Sequence, residues 1–178
     1  INYMDVVYLG NSNPKLSGGF GPSLTWKNLK ISTFFSFRWG YDIVNGMRMN
    51  TTNMYYFDNQ STAVLRRWRK PGDETDIPRA LISGGYNWLG SDRYVEDASY
   101  IRFRTITARY NFPLKALQKM KLKTLSAYIT AENLLTFTRY TGQDPEVSFR
   151  GSDPFRVAYD NSMTPPAKVI TLGLVAGF

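Results

Sequence analysis

The sequence predicts an all-β chain whose strands cross an outer membrane as part of a large antiparallel barrel with long extracellular loops. Three observations predict it. Alternation of apolar and polar residues is sustained from Leu29 to about Val44, the connections between strands alternate short and long, and the last strand ends on an aromatic residue, Phe178.

The first strand is expected at about 15–27. Leu16, Phe20, Leu24 and Trp26 fall on one parity, and Lys15, Ser17, Ser23, Thr25 and Lys27 on the other. After a tight turn at Lys27-Asn28, a second strand is expected at 29–44. Its odd positions include Leu29, Ile31, Phe35, Phe37, Trp39, Tyr41 and Ile43, and its even ones Lys30, Ser32, Ser36, Arg38 and Asp42. Period two means a strand with one apolar face. At roughly 3.3 Å per residue such a run reaches about 50 Å, or about 38 Å of height at a tilt of about 40°. Strands of soluble proteins are much shorter. Trp39 and Tyr41 near its end suit an interfacial aromatic girdle.

Residues 45–96 are irregular and polar, with one short helix expected from Asn59 to about Lys70, stopped by Pro71-Gly72. A third strand is expected at 97–112. Its apolar parity passes from odd (Ile101, Phe103) to even (Ile106, Ala108, Tyr110, Phe112), which calls for a bulge near Arg104-Thr105. A short connection at 113–121 leads to a fourth strand at 122–137, where Leu125, Ala127, Ile129 and Ala131 alternate. A second long loop, 138–166, leads to the last strand at 167–178, with Ile170, Leu172, Leu174, Ala176 and Phe178 on one parity. Short periplasmic turns and long extracellular loops are the barrel pattern. Five strands are an odd number, and an open sheet leaves backbone edges unsatisfied in lipid, so these strands are expected to be part of a larger pore.

Composition narrows the function classes. The chain has 43% hydrophobic and 15% aromatic residues but no long apolar helix. A mean hydropathy of −0.34 is compatible with a barrel, because averaging two faces hides the apolar one. With neither cysteine nor histidine, disulfides, Cys/His zinc sites and imidazole-based triads are excluded, and no catalytic residue, metal or cofactor is expected. The net charge of +8 is spread along the chain without a nucleic-acid recognition motif, so no nucleic-acid partner is expected. Ile1 stands first and no signal peptide precedes it, which suggests processing or the C-terminal part of a longer chain.

The run from Asn133 to Glu146, NLLTFTRYTGQDPE, resembles the signature near the end of the SusC/RagA family of TonB-linked outer-membrane receptors. Asp97 to Pro113, DASYIRFRTITARYNFP, is similar to the family's preceding strand, and Pro14 to Gly21 followed by Gly40-Tyr41-Asp42-Ile43 to an earlier stretch. Ala108-Arg109 stands where the family usually has Leu-Gly, and Pro165-Pro166-Ala167-Lys168 replaces the usual entry to the final strand. The resemblance implies a barrel of about 22 strands, plugged from within, whose plug and TonB box lie outside this chain. It implies import of oligosaccharides or oligopeptides, driven through the TonB complex, with a SusD-like surface lipoprotein as lid. A dimer of receptor–lipoprotein pairs in the outer membrane of a Gram-negative bacterium is also implied. Phe178 matches the family's assembly signal. Two alternatives stand beside this reading: a soluble aromatic-rich carbohydrate-binding β-domain, and a non-importing barrel.

Candidate ligand or lid contacts are the loop aromatics Tyr55, Tyr56, Trp68, Trp88 and Tyr94, which could stack on sugar rings, together with Arg69 in the basic run Arg66 to Lys70. Asp73, Glu74 and Asp76 match no calcium-loop spacing. In Asp144-Pro145-Glu146 the proline fixes a turn, so the carboxylates are expected to shape a loop. Gly18 to Gly21 lies in a strand and lacks the Lys-Ser/Thr of a phosphate loop.

Overall fold

The computed structural model describes residue 4 and residues 6–81, 91–113, 122–146 and 158–178. They form two compact units. A strand unit comprises Pro14–Gly40, Ser99–Arg139 and Pro166–Phe178, and a loop unit comprises Ile1–Asn13, Tyr41–Ala98 and Tyr140–Pro165.

In the strand unit, β1 (Leu16–Phe20) and β2 (Ser23–Trp26) both pair with β3 (Leu29–Trp39), which pairs in turn with β6 (Tyr100–Asn111). Beyond β6 lie β7 (Thr124–Thr138) and β9 (Val169–Gly177), and every pairing is antiparallel. The strand expected at 15–27 is thus two short ones. Pro22 has no N–H to give the ladder, and its carbonyl instead accepts from the Thr33 amide at 3.0 Å and the Thr33 hydroxyl at 3.1 Å.

The strand expected at 29–44 is also broken. Gly40 takes φ +71°, a left-handed conformation that ends β3 at Trp39. Asp42–Asn45 becomes β4, which belongs to the other unit. Tyr41 therefore does not join an interfacial girdle; it and Ile43 are core residues of the loop unit, 4% and 3% exposed. Likewise Asp97, expected to open the third strand, belongs instead to β5 (Val95–Asp97).

Register sorts the strand side chains to two faces. One face carries the rows Trp26–Leu29–Tyr110–Ala127–Leu174 and Leu24–Ile31–Ala108–Ile129–Leu172. Above them run Thr33–Ile106–Ala131–Ile170, Phe20–Phe35–Phe103–Leu135 and Gly18–Phe37–Ile101–Phe137. These rows hold no charge. The rings of Phe20, Phe35 and Phe103 stack across three strands with centroids 5.0 and 4.6 Å apart. The face lies open: Leu172 is 76% exposed, and the bounding tryptophans Trp26 and Trp39 are 66% and 60% exposed. From Leu29, opposite Trp26, to Trp39 is ten residue steps. That is about 33 Å of strand, or about 25 Å of height at a barrel tilt of about 40°.

The parity change in β6 is a bulge, as its sequence predicts. Phe34 pairs with Thr105 and Phe35 with Phe103, so the register between β3 and β6 skips Arg104. Opposite the same place on β7, Asn133 takes φ +53°.

In the loop unit β4 pairs antiparallel with β5 and parallel with β8 (Tyr159–Asp160). A helix, α1 (Gly46–Thr52), follows β4. Neither α1 nor β8 shows in the sequence pattern, since both are short and lack an apolar period. The helix expected at 59–70 is only a 3₁₀ turn at Thr62–Arg66. Arg67 leaves helical geometry at ψ 150°, and the next amide, of Trp68, donates to the Ile77 carbonyl at 2.9 Å. The connection at 114–121 lies outside the described residues.

Candidate functional site

The loop unit is organised around one carboxylate. Glu96 on β5 accepts from the Thr141 amide at 2.9 Å, from the Thr141 hydroxyl at 2.7 Å and from Asn45 Nδ2 at 3.1 Å. Arg48 completes the set with an ion pair at 3.2 Å. Asn45 also caps α1, its Oδ1 accepting from the Arg48 amide at 2.8 Å. Burial pushes the Glu96 carboxyl up, but the hydrogen bonds from Thr141, Asn45 and Arg48 outweigh it and hold the group below its ordinary value.

A second buried tie joins Tyr140, whose hydroxyl donates to Asp160 Oδ2 at 2.7 Å. Burial and the adjacent Asp160 push this phenol well above its ordinary range, so it remains a donor. The Tyr41 hydroxyl donates to the Pro145 carbonyl at 2.8 Å. Asp144 Oδ1 accepts from the Glu146 amide at 2.8 Å, which gives Asp144-Pro145-Glu146 the loop-shaping role its proline suggests. The signature at 133–146 thus has a physical content: Asn133 makes the strand irregularity, and Tyr140, Thr141 and Pro145 anchor the loop. Glu96 carries no sequence signal of its own, because the residues that donate to it are remote in the chain.

Among the candidate contacts, Tyr55 and Tyr56 meet edge to face at 4.8 Å, with Tyr56 exposed and Tyr55 half-buried. Trp68 is half-buried beside exposed Arg69, whose amide donates to Asp73 Oδ2 at 2.9 Å. The same oxygen accepts from the Lys70 amide at 3.0 Å, and Asp76 pairs with Arg66 at 3.4 Å. Asp73 and Asp76 are therefore engaged in shaping the turn, and no metal-binding cluster occurs among the described residues. Tyr94 does not fit a ligand contact. It is 1% exposed, with its hydroxyl 3.4 Å from Thr52 Oγ1, so it is core. Trp88 lies outside the described residues. Phe178 follows β9 and is 85% exposed.

The second face of the strand unit is polar. Its rows are Lys30–Arg109–Tyr128–Gly173, Ser32–Thr107–Thr130–Thr171, Phe34–Thr105–Glu132–Val169, Ser36–Arg102–Thr136 and Arg38–Tyr100–Thr138. Thr107 and Thr130 hydroxyls lie 2.9 Å apart, and the Arg109 guanidinium sits 5.4 Å from the Tyr128 ring centroid. Tyr128 lies across Gly173, where an added Cβ would be 2.2 Å from the ring.

No family model matches the chain. Among curated proteins of Formosa agariphila, TonB-dependent receptor P3 is 30% identical over 178 residues, and TonB-dependent receptor P26 is 34% identical over 183 residues. Each likeness covers 98% of this chain, and the chain spans 17% and 18% of the two relatives. Among solved structures, the RagAB peptide importer in its closed-closed state matches with a TM-score of 0.78 at 25% identity, over 94% of this chain and 18% of that one. The open-open state of the same importer matches with a TM-score of 0.77, over 94% and 17%. An antiparallel sheet with one open apolar face and one polar face suits the wall of a transmembrane barrel, and the likeness to the relatives runs along 98% of this chain. The chain belongs to the TonB-dependent receptor family, as a stretch of outer-membrane barrel of the SusC/RagA type.

Proposed function

We propose that the full-length receptor imports large nutrients across the outer membrane of a Gram-negative bacterium, and that this chain supplies barrel wall and extracellular loops near the receptor's C-terminus. The open apolar face, about 25 Å high between Trp26 and Trp39, carries the reading, because that height matches the lipid-facing band of a barrel. The polar face then lines the lumen, and the remaining strands pair with the edges at β1, β2 and β9. The import is driven by the TonB complex through a TonB box and plug elsewhere in the receptor. A SusD-like surface lipoprotein acts as lid, and receptor–lipoprotein pairs form a dimer. The likeness to a peptide importer favours oligopeptides over oligosaccharides as cargo. Tyr56 and Arg69, both exposed, are the loop residues best placed to touch cargo or lid. Phe178 serves as the assembly signal, its exposed ring reaching the periplasmic interface.

The test is uptake by cells expressing the full-length receptor with its neighbouring lipoprotein, supplied in separate arms with a labelled oligopeptide library and a labelled oligosaccharide library. Uptake in either arm that disappears on TonB depletion is expected. Uptake in neither arm, or uptake indifferent to TonB, rejects the reading.

A further inference from the structure

The polar strand face carries two cations directly opposite each other. Lys30 on β3 and Arg109 on β6 are cross-strand partners, and both side chains are exposed. Like charges in that relation repel, so the pair destabilises the sheet unless an anion lies between them. The sheet does not provide one. Five cations stand on this face (Lys30, Arg38, Arg102, Arg104 and Arg109), and Glu132 is its single carboxylate among the described residues. Glu132 sits four residues along β7 from Tyr128, the cross-strand partner of Arg109. Four residues of strand are about 13 Å, too far for an ion pair.

The local packing fixes where an anion would sit. Gly173 has no side chain, so the Tyr128 ring lies across it, and the Arg109 guanidinium rests over that ring at 5.4 Å. This cation–π contact holds the guanidinium against an aromatic surface, and its fork of N–H donors suits a carboxylate. Lys30 stands one strand away as a second donor. The row thus sets two cations side by side on neighbouring strands.

We infer that Lys30 and Arg109 dock a carboxylate side chain from the segment of the same receptor that fills the lumen. This rests on the proposed function, which turns the polar face inward. A barrel of that class is too wide for wall side chains to fill, so its lumen is plugged by other parts of the chain. The chain spans 17–18% of its relatives, which leaves ample receptor to supply that filling. A permanent occupant also suits a permanent like-charge pair better than a transient cargo does.

The experiment uses the full-length receptor in planar bilayers, with conductance followed as urea is raised until the lumen opens. Lys30→Glu and Arg109→Glu are expected to open at lower urea than wild type, and added salt is expected to lower the wild-type threshold toward theirs. Lys30→Gln with Arg109→Gln, which removes the repulsion along with both cations, should also open early. Thr107→Val, on the same face but uncharged, should leave the threshold unchanged and shows that the wall still folds. Thresholds indifferent to all the charge changes would overturn the inference. So would normal thresholds combined with lost uptake of an acidic oligopeptide, which would make the pair a cargo contact. A receptor that conducts freely before any urea is added would instead reject the plugged-importer reading itself.

Discussion

Arg104 donates from Nε to Ser36 Oγ at 2.8 Å, although it is the one residue within the paired run of β6 that the register with β3 skips. Strict alternation from Tyr110, Ala108 and Ile106 would put residue 104 on the apolar face. The bulge inserts it as an extra residue, turns its guanidinium to the polar side and returns Phe103 to the stack between Phe35 and Leu135.

Deleting Arg104 should therefore cost little more than truncating it. With the extra residue gone, Ile106, Thr105, Phe103 and Arg102 alternate without a break, so Phe103 stays on the apolar face and Arg102 on the polar one. Both changes lose the charged hydrogen bond to Ser36, about 1.5–3 kcal/mol at most. Refolding titrations of the full-length receptor should give similar losses for the deletion and for Arg104→Ala; a deletion costlier by about a further 2–4 kcal/mol, the penalty for a cation on the lipid face, would mean that Arg104 is not the extra residue.

The stacked rings of Phe20, Phe35 and Phe103 give a second prediction. Phe35→Arg should cost about 2–4 kcal/mol in the same titration, whereas Ser32→Arg, on the polar face, should stay within about 1 kcal/mol. The comparison uses Ser32 because Ser36 already accepts from Arg104 and pairs with Arg102. Similar costs at the two positions would reverse the face assignment.

Acid should loosen the loop unit through Glu96. Its carboxyl is held below the ordinary value of 4.5, so its contribution to stability is complete above that value and is lost as pH falls through the lower folded value. Hydrogen exchange on the receptor should show the Thr141 amide, which donates to Glu96, losing protection over that acid window. With Glu96→Gln the protection should be weaker at neutral pH and flat across the same window. An acid step that persists in the variant would assign the effect to another carboxyl.

Gly173 and Tyr128 should be coupled. A methyl group at 173 would sit 2.2 Å from the Tyr128 ring, so Gly173→Ala must displace the ring and with it the Arg109 stack. Overpacking of this kind costs about 1–3 kcal/mol. In a Tyr128→Ala background the same change should be close to neutral, and a double-mutant cycle measures the difference. Additive costs would mean that the ring does not occupy the glycine's space.

The faces of the strand unit were legible because period two records them directly, and even the bulge left its mark as a change of parity between Phe103 and Ile106. Strand ends were not. The alternation of β3 runs on through Tyr41 and Ile43 because β4 has a buried face of its own, and the pattern is the same whether the apolar side meets lipid or protein. Only Gly40 marked the break, and a glycine within a strand pattern reads equally as a bulge or a bend. The loop unit was less legible still. Tyr94 looked like any exposed loop aromatic, and the hydrogen bonds gathered on Glu96 come from residues some 45 to 51 positions away.

Those remote partners bear on how such a receptor can be re-engineered or can diverge. Asn45 and Arg48 lie on one side of a long insertion, Glu96 at its far end, and Thr141 on a different loop altogether. Grafting either loop alone from a relative would deliver a carboxylate without its donors, or donors without their carboxylate. The two connections are therefore expected to be exchangeable only as a set, whereas exposed Tyr56 and Arg69 take no part in the hydrogen bonds to Glu96.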